Sequence, residues 1–168
     1  MLRRRRREVA SLVFAGVLSA CGTAAAAPST AAYESHLEAT YTPLIADAVA
    51  TRLPCRPLTG AVPKGAYAAC AQRSQQLAHD ADAATSWLHA NAAPASLRTA
   101  ATSLLALASA LNTAAQSSAS AAGAASASDL AAAQKAVDAA LPLACPAVAA
   151  MHSASRHALP SPACGERR

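Results

Sequence analysis

Apolar side chains recur at three- and four-residue spacing along most of this chain, which is the period of an amphipathic α-helix. Four segments carry the pattern, beginning near residues 30, 66, 94 and 128. The predicted inward-facing positions are Tyr33, Leu37, Tyr41, Leu44, Ala48; Tyr67, Cys70, Ser74, Leu77, Ala81, Ala84, Leu88; Leu97, Ala101, Leu104, Ala108, Leu111, Ala115; and Leu130, Val137, Leu141, Ala144, Val148, Met151. Alternating strand patterns are absent from the sequence, so an all-α fold is predicted.

Prolines and capping residues indicate where these helices begin, bend and end. Thr30 is a suitable N-cap for the first helix, which is expected to run to about residue 53. Pro43 lies inside that helix and removes a backbone hydrogen bond, so a kink or brief interruption is expected there. Pro142 and Pro146 predict a break near Leu141, followed by a second short helix.

The connections between the segments predict the topology. A Pro- and Gly-containing loop at residues 54–65 joins the first two helices, and short connections make neighbouring helices antiparallel. Residues 117–128 comprise six Ala, five Ser and one Gly, which fits either a flexible connection or an extension of the third helix. Ser126 or Ser128 can cap the fourth helix. We expect an antiparallel up-down-up-down four-helix bundle whose fourth helix is broken by prolines.

The small residues on the inward faces predict how tightly the helices pack. Large and small side chains alternate in the third helix from Leu97 to Ala115, which allows axial separations toward the low end of the usual ~8–10 Å. We therefore expect a largely dry core without a roomy ligand cavity. A functional surface is then expected outside the core, in the loop at residues 54–65 or at the end near Trp87.

The first 22 residues have a different character from the rest of the chain. Residues 3–7 are five consecutive arginines, and a mostly apolar stretch at residues 9–20 leads directly to Cys21. This is the layout of a secretory signal, and its apolar part spans only about 18 Å as a helix, against a hydrocarbon core of ~30 Å. The tetrapeptide Leu18-Ser19-Ala20-Cys21 resembles the lipobox of bacterial lipoprotein precursors.

The resemblance implies that residues 1–20 are a cleaved signal peptide and that Cys21 carries acyl chains such as palmitate. The protein is then expected at the extracytoplasmic face of the cell membrane, with membrane lipid as its first partner. Residues 21–30 form a tether, and residues 31–168 form a single helical domain. The alternative is an ordinary signal cleaved within residues 24–27, which releases a secreted protein without Cys21.

Removal of the signal changes the charge of the protein. The whole chain has a formal charge of +5, but residues 21–168 contain nine basic and eight acidic side chains. The basic residues are scattered and are not interleaved with aromatic ones, so nucleic acid is not an expected partner. Alanine occupies 52 of the 168 positions, which favours helices because alanine is the best helix former.

Four cysteines follow Cys21, and an even number in an exported chain indicates disulfides with three possible connectivities. In an antiparallel bundle, Cys55 and Cys70 lie at the same end, whereas Cys145 lies roughly 24 Å away along the fourth helix. We therefore predict the bonds Cys55–Cys70 and Cys145–Cys164. A Cys–His metal site is the less favoured alternative because the sequence contains no Cys-x-x-Cys pair.

Candidate chemistry is sparse in this sequence. His79 and Asp82 share a helix face at the spacing of two metal ligands, and His36 lies between two glutamates, but a solvated polar face explains each pattern more simply. The five-residue spacing of His152 and His157 places them on different helix faces, which does not suit axial haem ligands.

The remaining motifs do not indicate an enzyme. The sequence lacks a Gly-x-Ser-x-Gly elbow, a Ser-x-x-Lys motif and a Gly-rich phosphate loop, so no catalytic residue, metal ligand or cofactor is assigned. The sequence predicts a non-catalytic helical interaction module whose partner is an envelope protein or polymer. The alternative is a lipoprotein that captures a metal, haem or a small apolar molecule, which the five scattered histidines would suit. Trp87 with Leu88 is a candidate ligand pocket, but a ring capping the bundle end is the simpler explanation for this residue.

Overall fold

The computed structural model describes residues 27–60, 63 and 65–155. Within this part of the chain, α-helices and short 3₁₀ turns are the only regular elements, which confirms the all-α fold class. The α-helices are α1 (Thr30–Ala50), α2 (Ala68–Ala90), α3 (Arg98–Gly123), α4 (Ala127–Ala140) and α5 (Ala144–Ser155), with 3₁₀ turns at Ala95–Leu97 and Leu141–Leu143.

The start of α1 differs by one residue from the prediction. Ser29, not Thr30, is the N-cap, because Ser29 has the extended backbone that a capping residue adopts and Thr30 already belongs to the first helical turn. The Ser29 hydroxyl accepts a hydrogen bond from the Ala32 N–H at 3.2 Å. Pro43 does not interrupt α1, which continues through it to Ala50.

The Ala/Ser tract after α3 is mostly helical, so the second of the two predicted alternatives is correct. α3 extends to Gly123 because Ser118, Ala121 and Ala122 within the tract are buried. Ala125 then takes a positive φ of 54° and reverses the chain. Ser126 caps α4, accepting a hydrogen bond from the Asp129 N–H at 3.4 Å.

The inward-facing side chains predicted from the sequence form the core. Every predicted inward-facing position is buried except Leu88, which is half-buried. A larger core cluster draws on α1 through α5, and a smaller one surrounds Cys55, Cys70 and Leu130. α3 is central, because it packs against α2, α4, α5 and α1.

Contacts at the ends of the helices show how adjacent elements are oriented. The Tyr33 hydroxyl near the start of α1 donates to the Asn91 carbonyl at the end of α2, at 3.3 Å. Near the other ends of these helices, Cys55 is bonded to Cys70, so α1 and α2 run in opposite directions. Ser74 in the second turn of α2 donates to Ser118 near the end of α3, so these two helices are also antiparallel.

The predicted Cys55–Cys70 disulfide is present, with the two Cα atoms 4.7 Å apart. It is buried beside the hydroxyls of Ser74 and Ser118, which are 2.9 Å from each other and each 3.6 Å from the Cys55 Sγ. Closing a 15-residue separation stabilises a fold by about 3 kcal/mol in the chain-entropy model. This bond therefore joins α1 to α2 at one end of the domain.

One described stretch, Ala127–Ser153, meets the length and composition criteria for a membrane-crossing helix. In its most apolar window, 39% of the residues are buried inside the domain, where α4 and α5 pack against α3. The 3₁₀ turn at Leu141–Leu143, which contains Pro142, separates α4 from α5 within this stretch. The buried side chains of α4 and α5 belong to the core of the domain.

The buried leucines of α3 should contribute strongly to the free energy of unfolding. Leu104 is fully buried, so Leu104→Ala should lower the free energy of unfolding by about 2–5 kcal/mol through lost burial and a residual cavity. Leu53→Ala is the control, because Leu53 is 83% exposed and its truncation should change stability by less than about 0.5 kcal/mol. Chemical denaturation measures both, and equal effects would contradict the assigned core.

Candidate functional site

A surface groove runs along the junction of α1 and α2. It has a volume of about 420 Å³ and is open to solvent. Its walls are formed by His36, Thr40, Pro43 and Leu44 from α1 and by Asp80, Ala83, Ala84 and Trp87 from α2. The spacing of His36, Thr40 and Pro43 places them on one face of α1, and Asp47 continues the same line. From Asp80 to Trp87 the helix α2 rises about 10 Å, which sets the length of the groove, and Asp47 lies one turn beyond the last wall residue of α1.

One end of the groove is aromatic. The rings of His36 and Trp87 stack with centroids 3.6 Å apart and an interplanar angle of 21°. Tyr33 lies against the same indole with ring centroids 4.8 Å apart, and its hydroxyl is bonded to Asn91. The Asn91 side chain donates in turn to the Trp87 carbonyl at 2.9 Å, which ties the end of α2 together. Together these contacts hold Trp87 in place. Partial burial lowers the pKa of His36, which favours the neutral form of this imidazole.

The other end of the groove is acidic. The Asp47 carboxyl on α1 is within hydrogen-bonding reach of Asp80 on α2. The pKa of Asp47 is raised mainly by desolvation, then by the hydrogen bond and the Coulomb repulsion from Asp80, while Arg73 opposes these effects. Gln76 donates to both Asp80 oxygens, at 3.0 and 2.9 Å, and so fixes that carboxylate.

The middle of the groove is apolar. Leu44 and Ala84 are buried and form its floor, whereas Ala83 is exposed on its rim. Small side chains on α2 leave a shallow depression beside the larger side chains of α1. An apolar floor between an aromatic end and an acidic end can hold an amphipathic guest, whose apolar part is desolvated while its polar groups meet the two ends.

Several side chains singled out in the sequence are not brought together. Within the described residues, no group of three or more His, Cys, Asp or Glu side chains is positioned to hold a metal ion. His79 and Asp82 are exposed on α2, and His152 is exposed on α5. Among the histidines that the structure describes, His36 is the one that contributes to the groove walls.

The remaining predicted sites are placed only in part. Cys145 is disulfide-bonded. The predicted partner, Cys164, and the predicted lipid-attachment residue, Cys21, lie outside the described residues. The Cys145–Cys164 bond and the acylation of Cys21 therefore stay predictions.

Sequence reasoning considered His36 and Trp87 separately but missed the groove that contains both. The missed signal is a second line of residues on α2, Arg73, Gln76, Asp80, Ala83 and Trp87, at alternating three- and four-residue spacing. This line runs beside the buried seam. Because this line contains charged, polar, small and aromatic side chains, it has no apolar periodicity and a search for hydrophobic patterns does not detect it.

No protein-family model, no curated protein and no solved structure matches this chain.

The carboxyl pair should make stability depend on pH. Because the pKa of Asp47 is raised, the folded state binds the proton more tightly than the unfolded state, so stability falls as pH rises from about 3.8 through the raised pKa. Asp47→Asn should therefore stabilise the protein at pH 7.5 and have less effect at pH 3.5. The expected gain is a few tenths of a kcal/mol, as for other solvent-screened like-charge pairs.

Thermal unfolding at the two pH values measures this effect, with Asp82→Asn as the matched control. Asp82 is exposed on α2 and is not among the groove residues. A gain at pH 7.5 that is no larger for Asp47→Asn than for Asp82→Asn would contradict the repulsive pair.

Proposed function

We propose that this chain is an extracytoplasmic lipoprotein, anchored in the cell membrane through Cys21, whose helical domain is a non-catalytic interaction module. Its partner, an envelope protein or polymer, binds in the α1–α2 groove. The lipobox-like tetrapeptide ending in Cys21 supports the anchor. The open groove with an apolar floor is the single observation that carries the binding role.

The shape of the groove favours an interaction surface over an enclosed pocket. Its long axis follows two antiparallel helices for about 10 Å, close to the length of three residues of extended chain. An exposed rim at Ala83 leaves one side accessible to a macromolecule. Ordered rings at one end and a fixed carboxylate at the other give the groove two distinct ends, so that a partner can bind in a defined direction.

We also infer the predicted up-down-up-down order for the whole bundle, with α4 and α5 together as the fourth rod. The antiparallel end contacts of α1, α2 and α3 support this order. The packing of Leu130, near the start of α4, beside Cys55 and Cys70 supports a return at the same end of the domain. A Cys145–Cys164 bond would link α5 to the C-terminal residues of the chain, as the Cys55–Cys70 bond links the end of α1 to the start of α2.

The anchor places the groove close to the membrane. Residues 21–29 precede α1 and span at most about 30 Å when fully extended. His36 lies in the second turn of α1, so the aromatic end of the groove is the end at which α1 begins. A membrane-tethered domain of this kind samples partners at or near the bilayer surface.

The anchor can be tested directly. Cys21→Ala should move the protein out of the membrane fraction, or leave the signal unprocessed, because the acylated cysteine is lost. Fractionation, together with the mass of the mature N-terminus, measures this effect, and Thr23→Ala, which changes the tether but keeps Cys21, is the matched control. Unchanged fractionation with no acyl mass on the wild-type protein would contradict the anchor and favour the secreted form.

The binding role of the groove can be tested by site-specific cross-linking in cells. A photo-reactive phenylalanine analogue in place of Ala83 should capture a defined partner, because this position lies on the groove rim. The same analogue in place of Ala131, which is exposed on α4, is the control. Identical adduct patterns from both positions, or none from either, would contradict the groove as the interaction surface.

Capture of a small apolar molecule is the second candidate function. The groove volume of about 420 Å³ lies within the ~300–1,000 Å³ of ordinary ligand pockets, which favours this alternative. Native mass spectrometry of the detergent-extracted protein separates the two functions. A stoichiometric small-molecule adduct that is lost in Ala83→Arg would favour ligand capture.

A further inference from the structure

We propose that the occupant of the groove is a partner-protein segment that presents a lysine or arginine side chain to Asp47 and Asp80, with a neighbouring apolar side chain on the floor. This inference rests on the proposed function and specifies the chemistry of the partner. Three independent features of the groove carry it: its charge, its aliphatic floor with an aromatic end, and its length.

The charge of the groove selects a cation. The Asp47 carboxyl on α1 is within hydrogen-bonding reach of Asp80 on the groove wall. Arg73, whose charge acts on Asp47, forms no ion pair with either one within the described residues. The ion pair present in that part of the chain is Arg52–Asp138, on a different surface. A guest ammonium or guanidinium group would relieve the repulsion between the carboxyl groups and would form charge-assisted hydrogen bonds with them.

The floor and the aromatic end suit the rest of such a guest. Lysine and arginine have apolar stems that lie along hydrophobic surface while the charged head stays in a polar environment. Leu44 and Ala84 provide that surface directly beside Asp80. The His36 ring stacked on Trp87 adds no positive charge when it is neutral, so the aromatic end does not repel a basic guest.

The length of the groove favours a chain segment over a small amine. Asp80 at the acidic end and Trp87 at the aromatic end are about 10 Å apart along α2, more than the reach of a single side chain. Filling both ends and the floor at once requires several consecutive residues. A basic residue near Asp80 and an apolar residue on Leu44 and Ala84 therefore define the minimal partner motif.

Peptide binding to the full chain in detergent tests the proposal. Trp87 is the one tryptophan of the sequence, so its fluorescence reports on the groove. The probe is the blocked hexapeptide Ala-Leu-Ala-Ala-Lys-Ala, compared with the same peptide carrying norleucine instead of lysine. At low salt the lysine peptide should bind about tenfold more tightly, and high salt should remove most of this preference.

Matched variants locate the preference. Asp80→Asn should reduce the lysine preference to less than about threefold, because it removes the fixed carboxylate, whereas Asp82→Asn should leave it unchanged. Equal binding of both peptides, no binding of either, or identical effects of the two variants would overturn the proposal. Hexylamine binding as tightly as the lysine peptide would overturn it in favour of a small amine.

These outcomes are separable from failure of the proposed function. A partner that is still cross-linked specifically from position 83, without any lysine preference, would leave the groove as the interaction surface and remove only its cation selectivity. Loss of specific cross-linking would remove the interaction surface itself.

Discussion

Close packing of alanine-rich helix faces is the constraint on which this structure depends. Alanine buries little apolar surface per residue, so the faces stabilise the domain only if the backbones approach closely. α2 approaches α3 closely and buries Ser74, Leu77 and Ala81. It packs far more extensively against α3 than against α1. α1 instead contributes Tyr33, Leu37 and Tyr41 to the core. The larger side chains of α1 and its looser packing on α2 leave the groove between these two helices.

Sequence periodicity predicted the buried seams because burial of one helix face leaves a repeat that can be counted. The antiparallel order of the helices predicted Cys55–Cys70, because it places both cysteines at the same end of the bundle and Cys145 far from them. The sequence did not distinguish Ser29 from Thr30 as the cap, since both hydroxyls suit that position. Sequence periodicity did not determine whether the Ala/Ser tract is helix or linker, because alanine suits both. The tract is helical because Ser118 is buried against Ser74. The groove was missed because it depends on the separation of two helices, which local spacing does not encode.

The candidate site combines groups that are individually ordinary. A stacked histidine, an exposed alanine and two aspartates each have a structural explanation on their own helix. Their significance lies in their shared line across α1 and α2, where an aromatic end, an apolar floor and an acidic end follow one another. No matching protein indicates a function, but a groove with an aromatic end, an apolar floor and an acidic end is suited to binding a partner.

The two ends of the α1–α2 pair are fastened unequally. At the acidic end the helices are joined by a covalent bond between Cys55 and Cys70, whereas at the aromatic end they are held by ring packing and one hydrogen bond from Tyr33 to Asn91. A covalent bond cannot open without being broken, whereas ring packing and a hydrogen bond can, so separation of the two helices should widen the aromatic end of the groove first. Under the proposed function, a bulky partner therefore enters the groove from its aromatic end.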